Sequence, residues 1–168
     1  TQSKNMFNSK PALMAFARNL SMTTHLPGPF SLVPFVSVDD MMKLVIDIGV
    51  EQLLRELADE IENDFRRWEQ FDKTPRVAAH SEQGVIELMP TSDGEAYGFK
   101  YVNGHPGNTH SGRQTVTAFG VLADVANGYP LMLSEMTLLT ALWTAATSAM
   151  VAKHLMPKDA KSAAALSP

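Results

Sequence analysis

The chain contains no cysteine, which excludes disulfide bonds and thiolate metal sites. It has no run of basic residues, and its formal net charge is -4, the wrong sign for a nucleic-acid surface. Neither a GxGxxG pattern nor a P-loop occurs. Gly104, Gly107 and Gly112 follow neither template, so no phosphate-cradling loop is legible. His80, His105 and His110 do not fall at a metal-ligand spacing such as HxxxH on a helix, and no metal site is expected. The polar N-terminus lacks an apolar core followed by a small-residue cleavage site, so it does not read as a secretion signal. The longest uncharged run, Met136 to Ala152, carries four threonines. It is short for a membrane span and reads as a buried helix.

What is present is an ordinary globular composition. Hydrophobic residues make up 45% and charged residues 19% of 168 positions, enough for one domain with a core of its own. A cytoplasmic location is the expectation. Residues 1–34 read as an extension, disordered or not native to the domain. Pro11 to Met22 suits a short helix with Leu13, Phe16 and Leu20 on one side, and His25-Leu26-Pro27-Gly28-Pro29 breaks it. The chain begins with Thr1 and not methionine, so it reads as a fragment or a trimmed product, with Met22 a candidate start.

Ser37-Val38-Asp39-Asp40 is a helix start, a serine N-cap followed by acidic residues in the first turn. That helix runs to about Ile48 and ends at Gly49. A second helix is expected from Glu51 to about Phe71, with Leu54, Leu57, Ile61, Phe65 and Trp68 on one face. Its charged residues form a solvated face. From Pro75 the period becomes strand-like. Strands are expected at Arg76–Ser81, Gly84–Met89, Tyr97–Asn103, Thr115–Ala123 and Pro130–Ser134, joined by short turns. Such spacing argues for an antiparallel meander, not for βαβ units. A long helix closes the domain, from Glu135 or Met136 to about His154. Its stripe of Met136, Leu139, Trp143, Ala146 and Met150 and its many small residues predict burial nearly all round. The fold class is therefore α+β: N-terminal helices, a β-meander and a long C-terminal helix.

Chemistry concentrates on the meander. Lys100 lies in the aromatic stretch Phe99-Lys100-Tyr101. Strand alternation gives it the face of Gly98 and Val102, small neighbours that leave room over a long cation. It is either a snorkelling lysine or an anion ligand. Glu87 sits in Val85-Ile86-Glu87-Leu88-Met89, at an edge or buried. If buried, it is a candidate acid/base group. Arg76 opens the preceding strand, either as a surface arginine pairing with Asp72 or Glu82 or as part of a site. Two cations and a carboxylate on one face would suit a small zwitterion such as an amino acid.

Several blocks resemble one family. These are Arg76-Val77-Ala78-Ala79-His80-Ser81-Glu82, Gly84-Val85-Ile86-Glu87-Leu88-Met89-Pro90 and Phe99-Lys100-Tyr101-Val102-Asn103-Gly104-His105-Pro106. Thr115 to Asp124, Gly128-Tyr129-Pro130 and Thr144-Ala145-Ala146-Thr147-Ser148 extend the match. From about Phe35 to the C-terminus the chain resembles the ornithine cyclodeaminase/mu-crystallin family, nearest to bacterial ornithine cyclodeaminases. The resemblance implies conversion of L-ornithine to L-proline with loss of ammonia, through NAD and with no net oxidation. It implies that Arg76 and Lys100 are substrate-carboxylate ligands, that Glu87 is the acid/base residue, and that Thr115 lies near the cofactor. It also implies a homodimer formed through this domain, with Thr115–Ala123 as a long edge otherwise left open.

Two departures stand out. Where the family places a further carboxylate-binding arginine, this chain has Trp143, a substrate-site position filled by a side chain with a single donor. The family's dinucleotide-binding Rossmann domain would begin about where the chain ends. Residues 35–156 are thus expected to form a substrate-binding and dimerisation domain, and residues 157–168 the tail leading to the cofactor half. This chain alone is expected to be inactive and not to hold NAD. The alternatives are an imine reductase or amino-acid dehydrogenase of the same family, or a non-catalytic dimerising or ligand-binding remnant.

Overall fold

The computed structural model describes residues 32–72 and 74–162. The expected Pro11–Met22 helix, the break at His25–Pro29 and the last six residues lie outside them. β1 (Phe35–Val36) leads into α1 (Val38–Ile48), α2 (Val50–Arg66) and a 3-10 turn (Trp68–Gln70). Then come β2 (Val77–Ser81), β3 (Gly84–Ser92), β4 (Ala96–Gly104), a second 3-10 segment (Pro106–Ser111), β5 (Val116–Asp124), β6 (Pro130–Glu135) and α3 (Thr137–Leu155).

The helix starts follow local chemistry. The Ser37 hydroxyl accepts from the Asp40 amide, and the Asp40 carboxylate accepts from the Ser37 amide at 2.9 Å, a reciprocal capping box. Gly49, at φ 88°, ends α1 and opens α2, a turn that glycine makes without steric cost. α2 stops at Arg66, short of the expected Phe71. Phe71 is buried, and Asp72 pairs with Ser92, so the chain must leave the helix axis to reach the sheet. The buried stripe of α2 is Leu53, Leu57, Ile61 and Asp64, rotated from the expected one. Phe65 is exposed and stacks on Trp68 at 5.8 Å.

The strands form one sheet in the order β1-β6-β5-β4-β3-β2. β2 through β6 are the expected antiparallel meander. β1 joins β6 in parallel, making the sheet mixed; two residues are too few to show a strand period in the sequence. The expected open edge at Thr115–Ala123 does not exist. β5 lies between β4 and β6, and the edges are β1 and β2, because a meander exposes only its outermost strands.

Two core clusters hold the layers together. Val36, Met41, Leu44, Ala96, Leu122, Met132 and Leu139 join the sheet to α1 and the start of α3. Val45, Leu53, Leu57, Ile61, Ala146 and Met150 join the three helices. α3 is not buried all round: Ala141, Ala145, Ser148 and Ala149 are exposed. Small residues made the helix look apolar on every side, yet only one stripe meets α1, α2 and the sheet.

The other face of the sheet is rich in apolar residues. Val77, Leu88, Tyr101 and Phe119 form one row across four strands, and Tyr101 stacks on Phe119 at 5.0 Å. A second row runs Pro90, Phe99, Val121, Leu133 and Phe35. Val77, Leu88, Phe119 and Phe35 are exposed.

The turn between β2 and β3 is packed against the end of β4. A Cβ on Gly84 would lie 2.1 Å from the Gly104 carbonyl oxygen, a backbone atom that cannot step aside. Gly84→Ala should therefore destabilise the fold by about 1–3 kcal/mol, read as a lower denaturant midpoint. An unchanged midpoint would show that the hairpin shifts freely.

Candidate functional site

The meander register determines which side chains meet. Met89 pairs with Lys100, Lys100 with Gly120, and Gly120 with Ser134, which is level with Val36 of β1. Met89, Gly120, Ser134 and Val36 are all buried. Lys100 thus stands in a row that runs into the core. In the neighbouring row Ala78 pairs with Glu87, Glu87 with Val102, and Val102 with Ala118. Arg76 immediately precedes β2 and closes on Glu87. Its Nη1 donates to both carboxylate oxygens, at 3.0 and 3.2 Å.

The three charged residues read from the sequence are therefore one cluster on one face. Glu87 is half-buried and paired, neither an isolated edge charge nor a fully buried acid. Arg76 pairs with it, and not with Asp72 or Glu82 as a surface arginine would. Lys100 is half-buried, and its ammonium is held below the usual lysine range. Burial is the main cause, the nearby Arg76 guanidinium adds to it, and Glu87 opposes it. A cation depressed by burial and by a second cation is a ready receptor for an anion, since an incoming negative charge relieves both penalties.

The remaining surroundings are fixed by α3. Glu135 is buried, and its carboxylate accepts from the amides of Thr137 and Leu138. The Thr137 hydroxyl accepts from the Ala118 amide at 2.9 Å, tying the helix start to the row that contains Glu87. The first amides of α3 are thus occupied by the protein's own carboxylate. An anion at the cluster must be met by side-chain cations and not by this helix terminus.

Thr115 and Trp143 are not part of the Arg76–Glu87 pairing. Thr115 sits at the neck of the β4–β5 connection, where its carbonyl accepts from the His105 amide at 2.8 Å and the Asn103 side chain at 3.4 Å. Asn103 also accepts from the Thr117 amide at 2.8 Å, so one side chain holds both ends of that connection. A single asparagine at the end of a strand carries no sequence signal for this role. Trp143 lies ~9 Å along α3 from Thr137 at 1.5 Å per residue. It is half-buried against the cluster of Val45, Leu53, Leu57, Ile61, Ala146 and Met150.

The helix N-termini bear on the cofactor. α1 is closed by its capping box, α2 carries Glu51 in its first turn, and α3 is closed by Glu135. Among the described residues none of these ends offers free amides and a glycine-rich approach to a dinucleotide pyrophosphate. These residues alone do not fit NAD. Nor do they include a group of three His, Cys, Asp or Glu that could hold a metal.

Comparison with known proteins sets this geometry in context. The model of the ornithine cyclodeaminase/mu-crystallin family matches residues 38–167. An ornithine cyclodeaminase from Brucella abortus biovar 1 is 72% identical over 134 residues, covering 80% of this chain and 37% of that relative. A lysine cyclodeaminase, solved in a study of its recognition of L-lysine, L-ornithine and L-2,4-diaminobutyric acid, superposes with TM-score 0.69 at 25% identity. The match covers 76% of this chain and 39% of that one. An archaeal alanine dehydrogenase dimer with bound NAD superposes with TM-score 0.60 at 26% identity, covering 76% and 38%. The chain thus spans less than two-fifths of the length of these relatives.

The coupling within the cluster is directly measurable. Glu87→Gln removes the one contribution that raises the Lys100 pKa, so its titration midpoint should fall further. Arg76→Gln removes a contribution that lowers it, so the midpoint should rise. NMR titration of the Lys100 side chain reads both shifts, and equal midpoints in all three proteins would dissolve the cluster.

Proposed function

Since this chain belongs to the ornithine cyclodeaminase/mu-crystallin family, we propose that it is the amino-acid-binding part of an ornithine cyclodeaminase. In the complete protein it would serve conversion of L-ornithine to L-proline and ammonia. The observation that carries this is the Arg76–Glu87 pair beside the desolvated ammonium of Lys100. Two cations and one carboxylate leave a single positive charge, matched by one α-carboxylate. Lys100 presents a point charge and Arg76 a planar fork. Glu87 sits where it can take up or return a proton at a substrate nitrogen held beside that carboxylate.

NAD supplies the redox chemistry in this reading, and it is held outside these residues apart from a contact near Thr115. Asn103 and His105, which bond the Thr115 carbonyl, would fix that contact point. Residues 35–156 would form the substrate-binding and dimerising unit, and residues 157–168 the tail that leads to the dinucleotide-binding part. The location is cytoplasmic.

Trp143 favours a second reading. In this position the family's arginine would add another fork for the carboxylate. Tryptophan offers one N–H and fills the volume instead, which suits a protein that turns over ornithine weakly or binds without turnover. A chimera joins residues 35–156 to the remaining portion of the Brucella relative. Its expected activity on L-ornithine is low, and Lys100→Met should abolish it. Trp143→Arg should raise kcat/KM by roughly 30-fold or more, the loss typical of a missing contact to a buried anion. Equal kcat/KM with tryptophan and arginine would leave Trp143 as packing alone. Full activity in Lys100→Met would overturn the site.

The reading also includes a homodimer through the apolar sheet face. The rows ending in Val77, Phe119 and Phe35 expose aromatic and aliphatic side chains of the kind that a second copy covers. Sedimentation should give a dimer at tens of micromolar, roughly where a stable interface is filled. Phe119→Asp should shift it to monomer. A folded wild-type monomer at that concentration would count against the interface.

A further inference from the structure

Asp64 is the most deeply buried acid among the described residues, 2% exposed in the last turn of α2. Its Oδ1 accepts from Nε of Arg67 at 3.2 Å, and its Oδ2 has no hydrogen-bond partner among the described residues. Arg67 lies over the Phe71 ring at 4.8 Å and reaches across to Asp93, where its Nη1 donates to Oδ2 at 3.4 Å. Asp93 in turn shapes the β3–β4 turn, its Oδ1 accepting from the amides of Glu95 and Ala96 at 3.1 Å. One arginine therefore serves two carboxylates, one on the helix layer and one on the hairpin that carries Glu87 and Lys100.

This geometry suits a neutral Asp64. An ionised carboxylate would leave Oδ2 charged and unbonded in the core, a costly state that water can relieve only if the junction opens. We propose that Asp64 is a proton-operated latch: neutral, it lets the end of α2 close on the β3–β4 hairpin through Arg67 and Asp93, and ionised, it opens that junction to water.

Burial outweighs the one cation that faces Asp64. Burial raises its pKa to about 7, Glu60 one turn earlier and Asp93 across the junction add to the rise, and Arg67 opposes it. Lys153 and His154 of α3 are engaged by Glu62. In the open state Asp64 returns toward its ordinary range near 4. The closed state therefore binds the proton more tightly, and opening grows as pH rises from about 4 to about 7, then levels off.

Hydrogen exchange on the 168-residue chain between pH 5 and 8, corrected for intrinsic rates, tests this. Protection of the Glu95 and Ala96 amides, relative to Phe99 and Val121 in the central strands, should fall by up to about tenfold per pH unit to pH 7 and then flatten. In Asp64→Asn it should not vary. A flat wild-type profile, or the same fall in Asp64→Asn, would overturn the latch. Should that variant fail to fold, carboxyl-carbon NMR of the wild-type chain decides. A midpoint for Asp64 near 7 supports the proposal, and one near 4, as for exposed aspartates, overturns it.

Discussion

The molecule is organised around a cation standing where the core gives way to the open part of the sheet. Lys100 shares its rung with Met89 and Gly120, both buried, and the row continues into Ser134 and Val36. Gly120 is required there, since a Cβ would fall 2.3 Å from Sδ of Met136 and 2.9 Å from the Phe99 carbonyl. The close fit of Met136 over Gly120 dries one side of Lys100. The Arg76–Glu87 pair flanks the other side and keeps an opposite charge within reach. Without Glu87 the face would hold two partly desolvated cations, which repel.

The two faces of the sheet divide the labour. The strand period of two sends Arg76, Glu87 and Lys100 to one face and Val77, Leu88, Tyr101 and Phe119 to the other. A slip of one residue in β3 or β4 would exchange them, placing charges among the aromatics and aromatics in the site. Several features act against such a slip. The β2–β3 turn is locked by the approach of Gly84 to Gly104, the β4–β5 connection by Asn103, and the β3–β4 turn by Asp93. Site geometry and apolar face therefore depend on the same three turns.

Much of this was legible in the sequence because it rests on period and punctuation. The serine cap, Gly49, five strands and their turns, and the terminal helix are local signals, and the structure keeps them. So is the gathering of Arg76, Glu87 and Lys100, which follows once the meander register is accepted. The unread parts are non-local. β1 is two residues long, and only β6 makes it a strand. Asp64 lies off the expected stripe of α2, and only the rotation that buries Leu53 in place of Leu54 turns it inward. The exposed side of α3 was hidden because alanine and serine suit a buried and an exposed helix alike.

The helix termini carry the argument furthest. An amino-acid carboxylate can be bound by a helix N-terminus or by side-chain cations, and the helix that starts beside this cluster, α3, has its first amides taken by Glu135. α1 closes on Asp40 and α3 on Glu135. Recognition of an anion at this cluster then falls to Lys100 and Arg76, whose charges do not depend on backbone alignment and can be altered one at a time. On the proposed reading the number of cations sets affinity, and position 143 is where the resemblance puts one more. Trp143 packs on the three-helix core, and on the proposed reading it also lowers the charge that a carboxylate would meet. On that reading stability and recognition are separable at this residue, though the same helix would serve both.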